Sequence, residues 1–287
     1  MTVVRTVAEL RESLATPRRD GESIGLVPTM GAFHDGHLSL MRRARVECDV
    51  VVVSLFVNPT QFSQSLDLAS YPRDEARDEA LATELGVDYL FAPPAAEVYP
   101  PGFATTVAIA GVTEVLEGAH RGRAHFDGVT TVVTKLFNMV MPDIAYFGQK
   151  DAQQALVIKR LVRDLDMPVR IEIEATVREP DGLAMSSRNA LLSGSERASA
   201  AALHRALAAI SEAVARGEHD PASARARGLA ELTSAGIEPE YLELVSADSL
   251  APVEQIDGEV LALIAAQVGT TRLIDNELIH GADNGRC

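Results

Sequence analysis

Short apolar runs alternate with amphipathic stretches along the first two thirds of the chain, and that alternation predicts its elements. Ile24-Gly25-Leu26-Val27-Pro28 reads as a buried strand, and Leu38, Leu40, Met41 and Ala44 give the segment from Leu38 to Cys48 an apolar helical stripe. Val50 to Val57 is apolar except at Ser54 and opens on four β-branched valines, as expected of a parallel strand covered on both faces. Together they predict a βαβ unit. Further strands are expected at Val87 to Phe91, Pro142 to Phe147 and Val169 to Val177. Helices are expected at Thr6 to Thr16 with Thr6 as N-cap, over most of Asp67 to Leu85, at Gly128 to Val140 and at Asp151 to Leu165. Phe103 to Ala110 alternates weakly and is expected to be an extra strand or hairpin at an edge or subunit contact.

Beyond Asn189 the pattern changes. Gly194 to Gly217 is rich in alanine, Pro221 to Ala235 is a second helix candidate, and Tyr241 to Val245, Val260 to Ala266 and Thr271 to Ile274 read as short strands. This predicts a smaller α+β domain with a boundary near residues 178–190, and disorder over the last dozen residues, His280 to Cys287 especially.

A βαβ unit places the turn after its first strand where the next helix offers unpaired N–H groups and a partial positive charge, a natural phosphate site. Gly31 and Gly36 have the spacing of P-loop glycines, but His37-Leu38 stands where Lys and Ser or Thr belong, and no G-x-G-x-x-G occurs. His34-Asp35-Gly36-His37 instead matches the His-X-Gly-His signature of adenylate-forming nucleotidyltransferases. Two imidazoles three residues apart share one side of a helical turn, the glycine leaving room for a nucleotide, and each can donate to phosphate oxygens as charge builds. Such a pair is often no more than cap or core; its place after a buried strand favours the ligand reading.

Gly148-Gln149-Lys150-Asp151 repeats the arrangement of strand, glycine turn and helix. Lys150 offers a point charge to phosphate, Asp151 an acceptor for a ribose hydroxyl, and Gln154 a grip on a second substrate; an ordinary cap and charge pair is the alternative. Gln61, in the polar turn Asn58-Pro59-Thr60-Gln61-Phe62, can hold a hydroxy or carboxylate ligand. Met185-Ser186-Ser187-Arg188-Asn189 suits a mobile phosphate clamp or an interdomain hinge. The basic patch from His120 to Asp127 meets either a ligand anion or surface acids.

At 287 residues and 47% hydrophobic, the chain has the length of one large or two ordinary domains. No apolar run reaches the roughly 18–20 residues of a membrane span, and the N-terminus lacks the pattern of a signal peptide, so a cytoplasmic protein without membrane partners is expected. A net charge of −15 argues against nucleic-acid binding and against a tRNA synthetase. Cys48 and Cys287 have no metal or disulfide spacing.

Read in order, these segments resemble the pantothenate synthetase (pantoate–β-alanine ligase) family of His-X-Gly-His nucleotidyltransferases. The match lies in Pro28 to His37, Phe56 to Phe62, Tyr71-Pro72-Arg73, His125 to Val129, Gly148 to Gln154, Asp181 to Asn189, Tyr241 and Thr271 to Asn276. The resemblance implies an α/β fold, with a Rossmann-like parallel-sheet domain over 1–184 that binds nucleotide and pantoate, followed by a small C-terminal α+β lid domain over 185–287. It implies ATP-dependent condensation of (R)-pantoate with β-alanine through a pantoyl-adenylate, releasing AMP and pyrophosphate, a step toward coenzyme A. His37, His34 and Lys150 would be catalytic, His37 as proton donor. Met30, Gly31, His34, Gly36, His37, Gly148, Gln149, Lys150, Asp151, Val177, Met185, Ser186, Ser187 and Arg188 would hold ATP. Gln61 and Gln154 would hold pantoate, with Gln61 also near β-alanine. Mg²⁺ would bridge the phosphates with Asp78 as its protein ligand, and the enzyme would be a homodimer. Gly122-Arg123-Ala124, Gln149 and Phe33 depart from the common Arg-Pro-Gly, Glu and Leu; the changed 122–124 loop keeps open a non-catalytic nucleotide-binding paralogue, and a ligase for another acid is the other alternative, against which Gln61 and Gln154 both argue.

Overall fold

The structure is a computed structural model, described over residues 1–62, 68–69 and 71–281. Its chain divides into two compact units, the first holding Met1–Gln149 and Gln153–Ala175, the second Lys150–Ala152 and the residues from Thr176 onward. In the first unit six strands, β1 Thr2–Val4, β2 Ile24–Thr29, β3 Val50–Leu55, β4 Tyr89–Phe91, β5 Ile144–Gly148 and β6 Arg170–Glu174, form one sheet in the order β1-β4-β3-β2-β5-β6. Every neighbouring pair is parallel. The parallel α/β fold expected from the apolar runs is therefore borne out. β1, three residues long, is too short to stand out in the sequence.

β3 shows how the pattern sets the layers. Val50 and Val52 enter an apolar layer with Leu10, Phe91, Val133 and Phe137, while Val51 and Val53 enter the opposite layer with Phe33, Met41, Ala44 and Tyr146. Successive side chains of a strand point to opposite faces, so a strand buried on both needs an unbroken apolar run. Cys48 is free and buried, packed beneath Gly25, where a Cβ would lie 2.9 Å from its Sγ. Thr6 caps the Val7–Ser13 helix as expected, closing a capping box with Glu9.

The chain leaves β2 toward β3 on one side, and β5 returns to pair with β2 on the other. Strand order reverses there, so the carboxyl ends of β2 and β5, at Thr29 and Gly148, flank the switch point where open α/β sheets bind ligands.

Three expectations change. Residues 104–110 form no strand: the Val107 N–H donates to Thr131 Oγ1 at 2.9 Å and its carbonyl accepts from Thr130 Oγ1 at 2.5 Å. Hydroxyls of the Arg123–Val140 helix thus replace a strand partner, and Val107 and Ile109 pack on the core. The charged segment from Asp67 forms a helix over Glu75–Glu84, and Asp67 itself lies outside the described residues. The units divide after Ala175 rather than after residue 184, because Arg178 is tied to Asp275 and bridges to Ala184.

The second unit carries the antiparallel sheet β7 Pro239–Ser246, β8 Glu259–Val268 and β9 Thr271–His280. Helices Ala202–Ala215 and Pro221–Ser234 cover it, packing Leu207, Ile210 and Leu232 against Leu242, Ile264 and Leu273. β9 runs through His280, so order extends past the expected start of the tail, whose residues 282–287 lie outside the described set.

Thr131→Val keeps the shape but leaves the Val107 N–H without its acceptor, and a loss of about 1–3 kcal/mol is expected in urea denaturation. An unchanged midpoint would show that the hydroxyl does not hold this segment.

Candidate active site

β2 ends at Thr29, whose hydroxyl donates to the Ser54 carbonyl at 2.7 Å and accepts from the Gly31 N–H at 3.3 Å. The backbone then turns through two left-handed residues, Gly31 at φ 86° and Ala32 at φ 53°. For alanine that region costs about 1–2 kcal/mol. Gly31 has no alternative, since a Cβ would lie 2.6 Å from Leu55 Cδ1 and 2.9 Å from Asp78 Oδ2.

Asp78 holds the turn. Its Oδ2 accepts from the Ala32 N–H and its Oδ1 from the Phe33 N–H, each at 2.8 Å, and the side chain is 1% exposed. Burial pushes its pKa up, against the downward pull of the two amides and Arg77. This is a different occupation from the Mg²⁺ ligand expected of it. Each oxygen already serves a backbone donor, and no group of three His, Cys, Asp or Glu among the described residues could hold a metal ion. The carboxylate is engaged in holding the turn.

The turn delivers His34 to the N-cap of the Asp35–Glu47 helix. His34 Nδ1 accepts from the Gly36 N–H at 3.2 Å, and His37 Nδ1 accepts from the His34 N–H at 3.3 Å. This is a capping box built from two imidazoles, with ring centroids 4.2 Å apart. Because both Nδ1 lone pairs are used by amides, each neutral ring carries its proton on Nε2. The pair therefore sets two Nε2–H donors at a helix N-terminus, a setting that favours anions. Gly36 leaves room chiefly for His34: a Cβ there would lie 2.9 Å from the ring carbon Cε1.

Gln61 sits in the short helical turn Pro59–Gln61. Its Oε1 accepts from Asn58 Nδ2 at 3.0 Å, its Nε2 lies 3.3 Å from Met30 Sδ, and its carbonyl is 2.7 Å from His125 Nδ1. Asn58, 1% exposed, also donates to the Gly128 carbonyl at 3.1 Å and accepts from Tyr99 at 2.8 Å. A Cβ on Gly128 would lie 2.7 Å from the Thr60 carbonyl. These contacts account for the motif from His125 to Gly128 as a seat for the Gln61 turn.

Gly148 closes β5, with nothing within 4 Å of where its Cβ would stand, and Gln149 follows in a helical turn. Gln154 is half-buried on the first turn of the Ala152–Asp164 helix. Its neighbour Gln153 is 3% exposed and accepts from the Glu117 N–H at 3.0 Å while donating to the Val112 and Val115 carbonyls at 2.8 and 2.9 Å.

In the second unit Lys150 Nζ lies 3.5 Å from Asp151 Oδ1. The Met185 N–H donates to the Val177 carbonyl at 2.9 Å, bringing two expected nucleotide contacts together. Ser186 Oγ accepts from the Arg188 N–H at 3.2 Å, and Asn189 Nδ2 donates to Glu179 at 2.9 Å and to the Ala184 carbonyl at 3.1 Å. The Ser-Ser-Arg loop is thus a pinned turn.

Residues 2–278 match the pantoate-beta-alanine ligase family. The chain belongs to that family. A pantothenate synthetase of Cereibacter sphaeroides is 55% identical over 275 residues, covering 96% of this chain and 98% of that protein. The crystal structure of pantothenate synthetase from Thermus thermophilus superposes with a TM-score of 0.92 at 48% identity, over 96% of this chain and 99% of that one. A pantoate-beta-alanine ligase from Francisella tularensis, solved with beta-gamma ATP and beta-alanine, superposes with a TM-score of 0.80 at 33% identity, over 97% of each chain.

Membership bears out the ligase class expected from the motifs. What sequence reading missed in this pantoate–β-alanine ligase is the support behind the candidate residues: Asn58, Tyr99, Gln153 and the structural task of Asp78. Asn58 and Gln153 stand inside quoted motifs, beside Gln61 and Gln154. Their position there was the available signal.

With its pKa raised by burial, Asp78 contributes stability that is complete below the ordinary carboxylate value and is lost as pH rises through the folded value. The advantage of the natural protein over Asp78→Asn, read by urea denaturation at several pH values, is therefore expected to shrink from the acid side upward. An advantage that grows with pH would mean that the two amide bonds outweigh burial.

Proposed function

We propose that the protein joins pantoate to β-alanine with ATP, forming a pantoyl-adenylate and releasing pyrophosphate, then AMP. The observation that carries this reading is the double-imidazole cap at the first helix after β2, which sets two Nε2–H donors at a helix N-terminus. A pantoate carboxylate oxygen attacks the α-phosphorus, and the bond to the bridging oxygen of pyrophosphate breaks. His34 and His37 donate to the phosphate oxygens as charge builds, and Lys150 adds its ammonium. In the second step the β-alanine amine attacks the acyl carbon and AMP leaves. Holding carboxylate and phosphorus together is worth an effective molarity on the order of 10⁵–10⁸ M.

In this reading Gln61 and Gln154 hold pantoate, and Gln61 also lies near β-alanine. Met30, Gly31, Gly36, Gly148, Gln149, Asp151, Val177, Met185, Ser186, Ser187 and Arg188 surround the nucleotide. The ligands of the Francisella tularensis relative support ATP and β-alanine as two of the three substrates. Mg²⁺ would come as part of the nucleotide substrate, with no protein ligand assigned to it. A homodimer and a cytoplasmic location belong to the same reading. No helix among the described residues is long and apolar enough to cross a membrane.

The test is pyrophosphate release from ATP with pantoate, with and without β-alanine. Turnover that needs both acids is expected; ATP binding without turnover would point to a non-catalytic paralogue. His37→Gln keeps an acceptor at the capping-box position, whereas His37→Ala removes it at a cost of about 1 kcal/mol. Both variants are expected to lose turnover by about 10²–10³-fold, and only the alanine variant to lose thermal stability. Full turnover in His37→Gln would remove the imidazole from the chemistry.

A further inference from the structure

In the second unit a buried polar chain ends on the backbone of Lys150. Asp275 on β9 is 2% exposed, and its carboxylate is met by Arg178 through Nη1 at 2.7 Å and Nη2 at 3.2 Å. The Asn276 N–H donates to the same carboxylate at 2.8 Å, and Arg178 Nη2 also reaches the Asn276 carbonyl at 3.3 Å. Asn276, 3% exposed, then sends Nδ2 to the Lys150 carbonyl at 2.9 Å. Lys150–Ala152 accordingly belongs to the second unit, while Gln149 before it and Gln153 after it belong to the first.

Stability alone does not call for this arrangement, since well-packed apolar residues often replace a buried ion pair without loss. What the pair adds is geometry. Arg178 grips the Asp275 carboxylate and the Asn276 carbonyl, and the same carboxylate accepts from the Asn276 N–H, so the Asn276 backbone is held from both of its polar groups. We propose that Asn276 is a positioning residue for the ligase reaction: through the Lys150 carbonyl it sets where the Lys150 ammonium stands, with the Arg178–Asp275 pair as its anchor. The Lys150 side chain is one-fifth exposed and long, and its ammonium can serve phosphate only if its backbone is held. The proposal rests on the reading that Lys150 meets nucleotide phosphate.

Equilibrium ATP binding to the full chain tests it, with Asn276→Ala and Asn276→Leu each made in the natural and the Lys150→Ala backgrounds. Asn276→Leu is nearly the same shape, is uncharged and lacks the donor, so it controls for shape, and thermal midpoints are recorded for all. Lys150→Ala is expected to weaken ATP binding. Either Asn276 change should weaken it on the order of ten- to a hundredfold, the range for loss of a hydrogen bond to a charged group, and should add almost nothing once Lys150 is gone. Equal weakening in both backgrounds would overturn the proposal, as would unaltered binding in the natural background. Unaltered ATP binding in Lys150→Ala would instead overturn the reading of Lys150 itself, and the proposal with it.

Discussion

Pairing of β2 with β3 on one edge and β5 on the other is the constraint on which the active-site turn depends. A strand hydrogen-bonded on both edges and covered on both faces has only its end left for chemistry. Beyond Thr29 the backbone must leave the ladder and start a helix within a few residues, and it does so through the left-handed pair Gly31 and Ala32. Two amides are left facing inward, and Asp78 accepts both. The sheet order thus fixes where a ligand can bind, the turn fixes how His34 enters its helix, and a carboxylate from another helix holds the turn.

The two histidines resolve a conflict between structure and chemistry by using different ring atoms for each. A helix start needs acceptors, usually supplied by Ser, Thr, Asp or Asn, whose oxygens are then engaged by the amides. An imidazole accepts through one nitrogen and donates through the other, so His34 and His37 close the helix end with Nδ1 and carry the donor, Nε2–H, on the other side of the ring. The glycine between them follows from the same packing, because the His34 ring occupies the space that a Cβ at Gly36 would need.

Much of this was legible in the chain. The apolar run in β3, the stripe of Leu38, Leu40, Met41 and Ala44, and the Thr6 cap depend on neighbours in sequence, where spacing carries the information. Phe103 to Ala110 was misread because its backbone groups are satisfied by Thr130 and Thr131, whose hydroxyls belong to a helix some twenty residues on. The structural task of Asp78 went unseen for a related reason. In sequence it is one of several acids on a charged helix, and only the fold shows that it is buried against Ala32 and Phe33. Candidate reactive residues were found by side-chain type, while the residues that hold them are of types that also populate surfaces.

Burial separates the two kinds. An unpaired polar group away from water costs about 1–3 kcal/mol, so a buried polar side chain is kept only where its partners are in place. In this chain such side chains, most of them carried on helices and strands, reach out to irregular backbone. Thr29 and Ser54 tie the ends of β2 and β3, Asn58 seats the Gln61 turn, Gln153 holds the loop from Val112 to Glu117, and Asp275 with Asn276 reaches Lys150. Regular elements satisfy their own backbone and need apolar burial alone. Turns that present backbone to a ligand cannot do so, and buried amides and carboxylates from neighbouring elements reach the backbone where the ladders stop.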